Sequence, residues 1–147
     1  MYKLTLLWMT AVVLFTVNST LAQKDFPDKI MKCIRSNDAS CVQEQLGKKV
    51  SVSSVNTSGA TLLHESCRYR QCTAVVSMLI NSGSDVNAMD KYGYTPLHIA
   101  ALNGCYDTIK LLIEKGADKS VKDKSGYTPY DRAVWVKQTG VYDILKP

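Results

Sequence analysis

The chain has 147 residues, 46% of them hydrophobic and 21% charged, with a formal net charge of +5. That length suits one domain with a modest core and excludes a second of any size. The basic excess is mild and scattered over small groups, Lys48 with Lys49, Arg68 with Arg70, and Lys119 with Lys122 and Lys124; nucleic acid is not an expected partner, which leaves solvated charge or a weak contact with an acidic protein or sulfated glycan.

The first stretch reads as an export signal. Lys3 precedes an apolar run from Leu4 to Val17, and Ala22 offers a small residue for cleavage before Gln23. As a membrane anchor, fourteen residues rising ~1.5 Å each fall short of a ~30 Å hydrocarbon core. The expectation is that residues 1–22 are removed, that no stable membrane anchor remains, and that the mature chain is secreted.

Residues 23–55 follow a helix, turn, helix rhythm, with Ile30, Cys33 and Ile34, then Asn37 and Asp38, then Val42 and Leu46. From residue 56 the chain repeats itself. Gly59, Ala60, Thr61, Leu62, Leu63 and His64 recur 34 residues later as Gly93, Tyr94, Thr95, Pro96, Leu97 and His98. A further 33 residues on, Gly126, Tyr127, Thr128, Pro129, Tyr130 and Asp131 return the pattern. The stretch from Cys72 to Asn87 matches Cys105 to Ser120 at an offset of 33, which places a single insertion near Tyr69, in the turn between two helices.

Each unit carries its own punctuation. Thr61, Thr95 and Thr128 stand where a side chain can cap a helix start, and Pro96 and Pro129 suit the first helical position, where a missing N–H costs nothing. The helix begun at Pro96 is expected to run to about Leu102 and to break at Asn103 and Gly104. A second helix then carries Ile109, Leu112 and Ile113 on one side, and Gly116 ends it.

With Asp90, Gly93, Thr95, Pro96, Leu97, His98, Ala100, Ala101, Gly104, Leu111, Leu112, Gly116, Ala117 and Asp118, the chain resembles the ankyrin-repeat family. The resemblance implies an all-α solenoid of stacked helix-turn-helix units with projecting β-hairpin-like loops. Residues 56–89 and 90–122 are the inner repeats, 23–55 a divergent N-terminal cap, and 123–147 a C-terminal cap. It also implies that His64 and His98 are structural, their imidazoles bonding backbone between neighbouring repeats.

The family's usual binding surface is the concave side, built of loop tips and first helices. Here that places Lys91, Tyr92, Tyr94, Lys124 and Tyr127 on loops, and Ile99, Leu102, Arg132 and Trp135 along helices. The tyrosines at 92, 94 and 127 are the expected anchors, since aromatic side chains bury large area on binding; packing of adjacent loops is the competing role for them.

Cys33, Cys41, Cys67, Cys72 and Cys105 make five cysteines, so in an oxidising compartment at least one has no partner within the molecule. Cys33 and Cys41 flank one turn and Cys67 and Cys72 another, so each pair could staple its own helices. Cys105 is then the odd thiol, available for an intermolecular bond. The alternative is that these cysteines serve as compact apolar residues. Their spacings fit no zinc finger, and no metal or cofactor is expected.

Asn56, Thr57 and Ser58 form a glycosylation acceptor, with Asn56 as its site. Two functions compete. One is a secreted module that binds an extracellular protein, such as an inhibitor or an effector carried in saliva or venom. The other is a thiol-dependent enzyme or redox protein using Cys105. No H-x-x-x-H pair, G-x-S-x-G elbow or glycine-rich phosphate loop occurs, so the expectation is a non-enzyme.

Overall fold

The structure, a computed structural model, describes residues 26–48 and 50–147. The expected leader, residues 1–22, lies outside the described residues. Helices α1 (Asp28–Arg35) and α2 (Ala39–Gln45) form the first unit, α3 (Leu62–Ser66) and α4 (Thr73–Asn81) the second, and α5 (Pro96–Asn103) and α6 (Tyr106–Glu114) the third. In the last unit α7 (Pro129–Trp135) is followed by a 3-10 turn, Thr139–Val141, and the short α8 (Tyr142–Leu145), so its second arm is cut down. This is the all-α stack of helix pairs that the family resemblance implies.

Three threonines set the starts of the first helices. The side chains of Thr61, Thr95 and Thr128 accept from the backbone N–H of His64, His98 and Asp131, and those residues reach back to the threonine N–H. Such a reciprocal cap stabilises a helix end by about 1 kcal/mol. At the far end of α5, Gly104 adopts φ 64, and the Cys105 N–H returns to the Ala100 carbonyl at 3.0 Å.

First helices pack against first helices, and α2, α4 and α6 pack in a second row behind them. No unit closes its own core. Ile30 and Ile34 from the first, Leu62, Leu63 and Leu79 from the second, and Leu97, Ile109 and Leu112 from the third are fully buried in one continuous cluster. Each of those side chains contributes about 1.5–3 kcal/mol by leaving water, and only a stacked neighbour provides the cover.

The cysteines divide. Cys33 and Cys41 are disulfide-bonded, with Cα atoms 5.6 Å apart, and join α1 to α2. The second staple expected from sequence, Cys67 to Cys72, is not made: both are buried free thiols, as is Cys105. In this stack a thiol faces the preceding unit instead of its own turn. Cys72 Sγ points to the Ile34 carbonyl at 3.0 Å and Cys105 Sγ to the Cys67 carbonyl at 3.6 Å, the same step of 38 residues each time.

Leu112→Ala is expected to destabilise the chain by about 2–5 kcal/mol in urea denaturation, through lost burial and the cavity left behind. Half-buried Leu111→Ala is expected to do much less. A melt unmoved by Leu112→Ala would place the core on another helix face.

Candidate functional site

Between helix pairs the chain makes tight hairpins, each organised by one side chain. Asp90 Oδ1 accepts from the Tyr92 and Tyr94 amides at 2.8 and 2.9 Å, and Asp123 Oδ1 from the Ser125 and Tyr127 amides at 2.8 and 3.2 Å. Asn56 Oδ1 does the same for the Ser58 and Ala60 amides at 2.9 and 3.0 Å. Successive hairpins then pair edge to edge, with Lys91 N–H donating to the Ser58 carbonyl at 2.9 Å and Lys124 N–H to the Tyr92 carbonyl at 3.0 Å. Gly93 permits the second approach: its φ is 81, and a Cβ there would lie 2.8 Å from the Lys124 nitrogen.

Asn56, read from sequence as a glycan acceptor, has a bracing role. Its Nδ2, the atom a glycan would occupy, donates to Glu65 Oε1 at 3.1 Å, and the residue is half-buried.

The hairpins organised by Asp90 and Asp123 are each bonded to the helix of the unit before by a histidine. His64 Nδ1 accepts from the Thr61 N–H at 3.1 Å, so the ring proton sits on Nε2, which donates to the Tyr94 carbonyl at 2.9 Å. His98 repeats this between the Thr95 N–H, at 3.2 Å, and the Tyr127 carbonyl, at 3.1 Å. Burial outweighs the nearby carboxylates and lowers both pKa values, holding the rings neutral. In the last unit Asp131 takes the histidine position. Its Oδ2 accepts from the Thr128 N–H at 2.8 Å, which keeps the cap without the imidazole.

Of the residues expected to contact a partner, Tyr92, Tyr127 and Trp135 are exposed at 54%, 50% and 72%, with Lys91 and Lys124 beside them. Lys91 Nζ lies over the Tyr92 ring at 5.0 Å. Ile99, at 8% exposure, belongs to the core rather than the surface, because the stack of first helices covers it. Leu102 is half-buried near the end of α5 away from the hairpins. Tyr94 is a strut. Its carbonyl holds His64, and its ring packs 5.7 Å from the His98 ring and 5.2 Å from the Arg132 guanidinium.

The most constrained charge is one for which sequence reasoning missed the partner. Arg132, 7% exposed, donates from Nε to Asp123 Oδ2 at 2.6 Å. Its guanidinium also stacks 4.7 Å from the Tyr127 ring and 5.3 Å from the Trp135 ring. Burial pushes the Asp123 carboxyl up, but Arg132 and the Tyr127 and Ser125 amides outweigh that, and the net shift is downward. The bond to Asp123 in turn raises Arg132. Removing either partner strands the other at a cost of about 3–5 kcal/mol.

The signal was in the repeat register. Glu65, Ile99 and Arg132 fill equivalent positions, and the two charged ones are each held by the hairpin side chain nine residues earlier, Asn56 and Asp123.

Catalytic chemistry finds little support in these residues. Burial pushes the Cys105 thiol up to about 11 and raises Cys67 and Cys72 as well, the opposite of what a nucleophile or a ready disulfide partner needs. Cys105, expected from sequence as an accessible odd thiol, is buried against the Cys67 backbone. No cluster of three or more His, Cys, Asp or Glu side chains that could hold a metal ion occurs among the described residues.

Two measurements follow from this geometry. An unfolded histidine titrates near 6.5, and both folded values lie lower, so their stabilisation is full above about pH 6.5 and is lost as pH falls through the folded values. The melting temperature is therefore expected to drop between pH 7 and pH 5, less steeply in a His64→Asn, His98→Asn variant; equal slopes would show that the imidazoles carry no such load. For the thiols, a maleimide probe at neutral pH is expected to leave Cys67, Cys72 and Cys105 unlabelled until denaturant is added. Rapid labelling of the native chain would contradict their burial.

Comparison with known proteins adds family context. A family model described as ankyrin repeats, in three copies, matches residues 30–123, more than half of the chain. Protein phosphatase 1 regulatory subunit 27 of Homo sapiens is 36% identical over 69 residues, 44% of this chain and 44% of that protein. SMC5-SMC6 complex localization factor protein 1 of Homo sapiens is 34% identical over 74 residues, covering 50% of this chain and 6% of the relative. Ankyrin repeat protein 14 of Vaccinia virus (strain Western Reserve) is 43% identical over 49 residues, 33% of this chain and 20% of the viral protein. The matched stretches thus span less than half the length of these relatives. No helix among the described residues is long and apolar enough to cross a membrane.

Proposed function

The chain belongs to the ankyrin-repeat family, whose repeats are protein-binding modules, and from that premise we propose that it is a secreted binding module gripping an extracellular protein with the concave face of hairpin tips and first helices. The observation that carries this reading is the set of exposed aromatic side chains, Tyr92 and Tyr127 on hairpins whose amides are held by Asp90 and Asp123, and Trp135 at the end of α7. Rigid aromatic side chains on a fixed frame lose little entropy on binding. The extracellular setting is supported by the leader pattern, Lys3 before the apolar run to Val17, and by the Cys33–Cys41 disulfide, a bond that persists in oxidising compartments.

An inhibitor or an effector delivered in a secretion fits this scaffold, which acts by occupying a surface. Ankyrin-repeat chains and their regulatory-subunit relatives are typically non-enzymatic, and one matched relative bears the name of a regulatory subunit. The thiol-dependent alternative has no accessible nucleophile in Cys105.

In capture from extracellular fluid, Tyr92→Ala is expected to weaken retention of the partner by about 2 kcal/mol while leaving the melting temperature unchanged, since the ring is exposed. Tyr94→Ala is expected to lower stability as well. Partner retention indifferent to both Tyr92→Ala and Trp135→Ala would remove this face as the binding surface.

A further inference from the structure

Arg132 uses only part of its donor capacity. Nε serves Asp123, whereas neither Nη nitrogen has a hydrogen-bond partner among the described residues and neither is sealed from solvent. Arg132 helps line a cleft of about 560 Å³ together with Tyr127, Tyr130, Asp131, Val134 and Trp135. Tyr130 is itself steadied edge-on by the Tyr142 ring at 5.9 Å. The planar fork is thus held by one carboxylate and several aromatic faces, and what it still offers is a pair of N–H groups beside apolar surface, the geometry that takes a second carboxylate.

The surroundings favour negative charge. Asp90 and Asp123 are spent on hairpin amides, and Asp131, the one carboxylate lining the cleft, holds the Thr128 cap through Oδ2. Lys122 and Lys124 are exposed and make no ion pair among the described residues. Lys122 acts electrostatically on Asp131, a residue of the cleft lining, and Lys124 directly follows Asp123, the partner of Arg132.

We propose that the cleft of the C-terminal unit seats an acidic segment of the protein partner, an aspartate or glutamate carboxylate meeting the Nη groups of Arg132 and a neighbouring apolar side chain lying against Tyr127 and Trp135. This rests on the binding function above and adds the chemistry of the partner. Lys122 and Lys124 steer the segment, and Asp123 fixes the fork before it arrives, so little ordering remains to be done on contact. A sulfated chain calls for a broad run of cations; here aromatic side chains stand around one guanidinium.

The test uses the full chain and short fluorescein-labelled peptides of equal length read by anisotropy. One carries glutamates around a single phenylalanine, the second has glutamine for each glutamate, and the third has lysine; a heparin fragment is the fourth probe. The acidic peptide is expected to bind roughly tenfold more tightly than its glutamine counterpart, and the lysine peptide not to bind. Trp135→Ala and Lys124→Glu, both on exposed side chains and checked for an unchanged melt, are expected to weaken the acidic peptide by about tenfold. Lys124→Glu is expected to leave the glutamine peptide unaffected. Arg132→Lys keeps the charge but removes the fork, and is expected to abolish the preference for glutamate.

Equal binding of the acidic and glutamine peptides, absence of binding by all the peptides, or a heparin interaction that outcompetes the acidic peptide and ignores Trp135→Ala would each overturn the proposal. Any of these leaves the binding face itself to be judged by the Tyr92→Ala capture experiment.

Discussion

Two neutral imidazoles hold the second and third hairpins to the helices before them, and the rest of the architecture depends on that bond. His64 and His98 each accept from a threonine N–H of their own unit and donate to a carbonyl of the next hairpin. One ring therefore caps a helix and fixes where the following loop lies. The arrangement needs an unprotonated Nδ1 and a dry site, and the burial that lowers both pKa values provides them. In the last described unit Asp131 stands at the histidine position and makes the helix cap with Thr128.

The candidate binding surface follows from this frame. With the hairpin amides bonded to Asn56, Asp90 and Asp123, and neighbouring hairpins paired through Lys91 and Lys124, the backbone has little freedom left. Side chains that do not serve the frame, Tyr92, Tyr127 and Trp135 among them, project from a rigid support. The turn end of the stack has separate fastenings: Arg35 Nε donates to the Tyr69 hydroxyl at 3.1 Å, and Arg70 Nε to the Asn103 carbonyl at 3.0 Å. The edges of the slab are thus tied on both sides of the apolar core.

Much of the fold was legible because the signals were local and repeated. Thr95 with Pro96 marks a helix start and Asn103 with Gly104 its end, and the helix runs from Pro96 to Asn103. What was illegible depends on contacts between units. Nothing local distinguishes Tyr92 from Tyr94, yet one projects and the other packs on His98 and Arg132. Cys67 and Cys72 look like a staple along the chain, whereas in the stack Cys72 faces Ile34 of the preceding unit. Helix position alone puts Ile99 on the surface with Arg132. Its apolar side chain is absorbed into the core, while the equivalent arginine needs a carboxylate, which Asp123 supplies.

Recognition by the hairpin face is decided by where a partner sits. A structure of the chain bound to a protein captured from extracellular fluid is predicted to show that protein seated over Tyr92, Tyr127 and Trp135, with the hairpins in the positions described. A partner bound instead along the second-row helices α4 and α6, with those aromatic side chains still open to solvent, would contradict it.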